Sequence, residues 1–198
     1  MNIYKSRRKY TMNSGKSNPA NAGTKELSKA SSHVRDLTIT AIFIALTYVF
    51  TAFVNVRLPI AANGGLIHLG NIPLFICAII FGKKIGALAG GIGMGLFDLL
   101  SGWTAWAPFT LIIVGLMGYA VGAISEKHAS FFWHTLAIAV ACVIKVAGYY
   151  IAEVILYGNW VAPAASIPGN LVQIGVAAVI VLPIIGILKN AANQIMNR

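Results

Sequence analysis

The sequence predicts an all-α membrane protein: six transmembrane helices in a compact bundle, with both termini cytoplasmic. Three observations predict it. Apolar residues fill 58% of the 198 positions and charged residues only 10%, against roughly a quarter charged in soluble domains. Six apolar runs succeed one another, separated by short polar or glycine-rich turns. The cations fall on alternate turns, which is the pattern of a membrane orientation signal. The net charge of +10 therefore does not read as a nucleic-acid surface.

Residues 1–33 are rich in Lys, Arg, Ser and Asn and poor in large apolar side chains. Such a segment cannot bury a core and reads as a disordered cytoplasmic tail. Residues 34–198 make the membrane domain. Its apolar runs are 34–54, 67–81, 85–100, 108–124, 131–156 and 167–188. About 20 helical residues span hydrocarbon, and a helix satisfies its own backbone there. The second run is short and interrupted by Pro73, so it must pack against neighbouring helices. The sixth carries Pro183 near its end.

Lys5, Arg7, Arg8, Lys9, Lys16, Lys25, Lys29 and Arg35 precede or open the first run. Lys83 and Lys84 follow the second, Lys127 the fourth, and Lys189 and Arg198 the sixth. With six spans these all lie on one side, the cytoplasm. The opposite loops, 55–66, 101–107 and 157–166, hold a single cation, Arg57.

Ionisable groups inside apolar runs are costly and tend to be functional. Asp98 lies near the outer end of the third run and reads as a ligand acceptor, a counter-ion, or a hydrated interfacial group. Lys145, Tyr149 and Glu153 are spaced by four in the fifth run and share one helix face, each step turning about 40°. They read either as a polar ladder down from the outer mouth or as partners of other helices, Lys145 with Asp98 for instance. Asn170 and Gln173 share a face of the sixth run and offer both donors and acceptors. They fit a neutral polar ligand or interhelical hydrogen bonds equally. His68 opens the second run, as ligand contact or structural residue. Trp103, Trp106 and Trp160 belong to the outer side, stacking on a flat ring or forming an interfacial belt. Trp106 is the best placed for stacking.

Small residues recur at spacing four: Ala41 and Ala45; Gly82, Gly86 and Gly90; Gly91 and Gly95; Gly118 and Gly122. Such stripes let helix backbones approach, within the bundle or against a partner. Cys77 and Cys142 sit in apolar runs and read as small hydrophobes. The sequence has no phosphate loop, no HExxH, no Cys/His cluster and no catalytic triad signature. Neither a cofactor nor a metal is expected, and catalysis has little to stand on.

The segment GLIHLGNIPLFICAIIFGKKIGALAGGIGMGLFDLL, followed by GWTAWAPFTLIIVGLMGYAVG, resembles the substrate-binding S components of energy-coupling factor (ECF) vitamin transporters. The likeness covers most of residues 36–124; the last two runs match in character only. The resemblance implies a multi-pass protein of the bacterial cytoplasmic membrane that captures a small water-soluble vitamin or precursor from outside. It implies a transmembrane coupling protein and two ATPase subunits as partners, with delivery by toppling in the membrane. Ala41 and Ala45 match the family's docking stripe for the coupling protein, and loop 55–66 would cover the ligand. The nearest subgroup in look takes hydroxymethylpyrimidine or pyridoxine compounds, with pantothenate and riboflavin as alternatives. A stand-alone ion-coupled carrier or channel using Asp98, Lys145 and Glu153 is the rival reading.

Overall fold

A computed structural model of the protein describes residues 19–57 and 66–196, with side chains from 29 to 55 and 67 to 196. The first part of the tail and most of loop 55–66, including its expected cover over a ligand, lie outside the described residues. The chain forms two units, 1–35 and 36–198. In the first, Ser32 Oγ donates to the Lys29 carbonyl at 2.8 Å. Helix α1 takes residues from both, and the elements after it belong to the second.

Helix α1 is Pro19–Phe53, so helix begins well ahead of the apolar run. A two-stranded antiparallel ribbon follows, β1 (Asn55–Arg57) and β2 (Leu66–His68), with Val56 opposite Ile67. Then come α2 (Asn71–Phe81), α3 (Lys83–Leu100), α4 (Ala107–Lys127) and α5 (Phe131–Tyr157). A single 3₁₀ turn, Ala162–Ser166, leads into α6 (Ile167–Met196). The all-α reading holds except for the ribbon. Ile67 and His68 belong to it rather than to the second helix, as β-branched and aromatic neighbours favour.

Among the described residues, four helical stretches are long and apolar enough to cross a membrane: Lys29–Phe53, Ala107–Lys127, Phe131–Tyr157 and Ala162–Met196. Helix α2 is too short, rising only ~16 Å. It survives because protein covers it: Ile72, Leu74, Phe75, Cys77, Ala78 and Ile79 are all buried. Pro73 interrupts nothing, because it sits in the first turn, where its missing N–H has no partner to lose. Pro183 lies inside α6 and the helix continues past it.

The core joins Leu74, Phe75 and Ala78 of α2 to Met94, Val114, Met117 and Val121, and to Ala137, Ala141, Ala177 and Val181. The opposite faces are apolar and exposed: Leu111, Ile112 and Leu116 on α4, Val143, Ile151 and Ile155 on α5, Val179 and Ile187 on α6. In water such surface would drive aggregation; in a bilayer it is the solvated face.

Glycine sets the spacing of α3 and α4. A Cβ on Gly118 would lie 2.3 Å from the Gly86 carbonyl oxygen, and one on Gly122 the same distance from the Lys83 nitrogen. The Gly86 and Gly118 stripes are therefore internal contacts. At the same end, Gly82 takes φ +88°, a conformation that side chains resist. That turn lets the Lys83 N–H donate to Glu126 Oε1 at 2.9 Å while Lys83 Nζ meets Oε2 at 3.0 Å. A carboxylate thus caps the start of α3.

Candidate functional site: a polar cavity at the ribbon end

The ribbon, the C-terminal end of α3, the start of α4, the last turns of α5 and the start of α6 converge on one cavity of about 80 Å³. His68 comes from β2 and Asp98 from α3. Trp103 and Trp106 come from the turn before α4. Lys145, Tyr149 and Glu153 come from α5, and Asn170 and Gln173 from α6. Nine of the ten residues that the sequence offers for ligand contact line this space. Trp160 does not; it is exposed, and its carbonyl accepts from Tyr150 OH.

The local chain explains each placement. The Asp98 carbonyl accepts from Trp103 N at 2.9 Å, closing the turn beyond α3. The Trp106 carbonyl accepts from Thr110 N at 2.8 Å, so α4 starts with Trp106 at its cap. Pro108 stands in the first turn of α4, where helices tolerate proline. The two indoles meet edge to face at 5.4 Å, and Trp106 meets Tyr157 at 6.0 Å. A rigid aromatic rim results, apolar in body and polar at its edges.

Behind the rim lie the charges. Lys145 and Glu153 are buried at 1% and 0% exposure, and Gln173 at 5%. Lys145 Nζ donates to Gln173 Oε1 at 2.7 Å, a charge-assisted bond. The ammonium also sits 5.8 Å from the centre of the Tyr149 ring. Asp98 is within electrostatic reach of Lys145 and within hydrogen-bonding reach of Thr110. Tyr149 OH lies 2.9 Å from Thr110 Oγ1. The expected Asp98–Lys145 relation is thus electrostatic, while Lys145 hydrogen-bonds Gln173 and Asp98 lies within hydrogen-bonding reach of Thr110.

His68 accepts from the Gly70 N–H through Nδ1 at 3.3 Å. Burial, with the Lys145 charge adding, holds its imidazole well below the usual value of 6.5. The ring is neutral at pH 7, and with Nδ1 accepting, its proton rests on Nε2.

Thr110 was not nominated by the sequence. It is 2% exposed and stands behind Asp98 and Tyr149 rather than in the cavity wall. The available signal was its place in Trp-Ala-Pro-Phe-Thr, one turn into α4. Among the described residues no three His, Cys, Asp or Glu side chains gather where a metal ion could bind.

This chain is similar to two curated proteins. A thiamine precursor transporter, HmpT, from Lactococcus lactis is 31% identical over 148 residues, 75% of this chain and 84% of that one. A protein of Pyrococcus woesei, described as uncharacterized and in a "gap 3'region", is 36% identical over 103 residues, 52% of this chain and 69% of that one. The family model for the S component of the ECF-type riboflavin transporter matches residues 31–190. A match across that span takes in every helix that builds the cavity, and the chain belongs to the ECF-type transporter S-component family as a multi-pass membrane transport subunit rather than an enzyme.

Proposed function

We propose that this S component captures a small, amino-bearing vitamin precursor, a hydroxymethylpyrimidine or a closely similar single ring, and passes it inward on an ATP-driven coupling module. The observation that carries the choice of ligand is the charge of the cavity. Asp98 and Glu153 bring two carboxylates against the single ammonium of Lys145, and His68 is neutral. In ordinary charge states the lining is one negative charge in excess. A neutral or cationic ligand with N–H donors complements it; an anion such as pantothenate does not. Lys145, the one group that would meet a ligand carboxylate, is already turned to Gln173.

Size supports the same reading. A cavity of about 80 Å³ suits one ring better than the three fused rings and ribityl chain of riboflavin, although riboflavin is the ligand in the family description. The named relative handles a thiamine precursor, which agrees with the cavity. In this reading Trp106 stacks on the ring and Asp98 accepts from its amino group, as their shared place in the cavity wall supports.

In this reading residues 34–198 are the substrate-binding domain, with six spans, both termini cytoplasmic, and the cavity opening outward. The charge distribution supports that orientation: Lys83, Lys84 and Lys127 lie at the end opposite the cavity. The membrane is the bacterial cytoplasmic one, the partners are the coupling protein and two ATPases, and loop 55–66 is the cover. Ala41 and Ala45 are exposed on α1 beside Ile42, Leu46 and Val49, a small-residue stripe open to a partner helix.

Mass spectrometry of the small molecule that co-purifies with the detergent-extracted chain tests the ligand. A 4-aminopyrimidine is expected; riboflavin or pantothenate would replace this reading.

A further inference from the structure

Thr110 ties three helices together behind the cavity. Its hydroxyl, on α4, is 2.9 Å from Tyr149 OH on α5 and lies within hydrogen-bonding reach of Asp98 on α3. A threonine hydroxyl has one proton to give and lone pairs to receive with. Asp98 as a carboxylate can only accept, so the Thr110 proton goes to Asp98. Tyr149 must then donate its own single proton to Thr110. With Asp98 ionised, the order along the chain runs from Tyr149 to Thr110 to Asp98.

The consequence falls on the cavity side. Tyr149 and Asp98 both line the space, and Thr110, 2% exposed, does not. With its proton committed behind the wall, Tyr149 turns only lone pairs to a ligand. Asp98 does the same. A ligand edge placed there must supply N–H or O–H donors to both. A carbonyl in that place would meet lone pairs with lone pairs, in a site where buried polar mismatches are costly.

We propose that Thr110 is a positioning residue that sets the Asp98–Tyr149 wall to accept only, and so selects a ring bearing an amino group over the same ring bearing a carbonyl. The inference rests on the reading of the chain as a binder of a small amino-bearing heterocycle. It adds the residue that decides between two ligands of equal shape.

Titration calorimetry on the full chain in detergent tests it with two probes, 4-amino-5-hydroxymethyl-2-methylpyrimidine and its 4-oxo counterpart. The wild type is expected to prefer the amino compound by on the order of 10²-fold or more, the range reached by sites that read a polar group. Thr110→Val keeps the volume and removes the hydroxyl, which frees the Tyr149 proton to donate into the cavity. The amino-to-oxo preference should fall by about tenfold or more, and Thr110→Ser should restore it. If Thr110→Val does not fold, Tyr149→Phe breaks the same chain from the other side and should also lower the preference. A Thr110→Val protein that loses both affinities equally, keeping the ratio, assigns Thr110 a structural role and overturns the inference. So does an unchanged ratio in Tyr149→Phe, or a wild type that prefers the oxo compound. A wild type that binds neither pyrimidine overturns the ligand reading and the inference with it. One that binds the amino compound with a ratio insensitive to these variants overturns the inference alone.

Discussion

Asp98 is the residue on which most of the chemistry turns. A carboxylate near the end of a glycine-rich apolar helix is visible in the sequence as an expensive choice, and the two tryptophans that follow it, Trp103 and Trp106, are visible with it. What could not be read is its immediate partner, because Thr110 lies in another helix and a lone threonine carries no pattern. Asp98→Asn and Trp106→Ala are each expected to weaken pyrimidine binding by more than tenfold, or about 1.4 kcal/mol, in calorimetry. Unchanged affinity in both would place the ligand elsewhere. His68 gives a pH test. Its folded-state proton affinity lies below the ordinary value of 6.5, so below that pH the unfolded chain binds more protons than the folded one. Stability from this group is complete above about pH 6.5 and declines as pH falls. The melting temperature in detergent should drop between pH 7 and pH 5 in the wild type and drop less in His68→Asn. An equal drop in both would assign the effect to other groups.

Helices α3 and α4 show why glycine spacing was informative but incomplete. Periodicity four marks a close face, yet it cannot say whether the neighbour is a helix of the same chain or of a partner. Gly86 and Gly118 answer inward, since a Cβ on Gly118 would strike the Gly86 carbonyl at 2.3 Å. Gly118→Val should therefore destabilise the bundle by about 1–3 kcal/mol, the usual cost of overpacking, read as a lowered melting temperature. Gly169, whose Cβ would meet nothing within 4 Å, serves as the control: Gly169→Ala should leave that temperature nearly unchanged. The ribbon was missed for a physical reason. A stretch such as Leu-Ile-His is as apolar as a helix start, and only the antiparallel pairing with Asn55–Arg57 makes it a strand. Helix α2 was legible as an apolar run but not as a half-length element, because its limits are set by the ribbon before it and by Gly82 after it.

At the level of the whole chain, hydropathy and charge order foretold a helical membrane bundle, and the nine polar and aromatic candidates line one cavity. The reason is that polar groups in hydrocarbon have few places to go: His68, Asp98, Lys145, Glu153 and Gln173 must meet one another or water. Lipid-facing surface, by contrast, is interchangeable, so nothing in the pattern separates a face for lipid from a face for a partner. Ala41 and Ala45 are exposed on α1, and bulk there should disturb docking alone. Ala41→Trp or Ala45→Trp is expected to abolish uptake in vesicles that hold the coupling protein and ATPases while leaving ligand affinity intact; lost affinity would mean that the stripe packs internally. The most direct single measurement is calorimetric binding of 4-amino-5-hydroxymethyl-2-methylpyrimidine, pantothenate and riboflavin to the purified chain. The pyrimidine should bind with a Kd of about 1 µM or tighter, some −8 kcal/mol, and the other two far more weakly. Tight binding of riboflavin or pantothenate with none of the pyrimidine would contradict a small, acceptor-lined site.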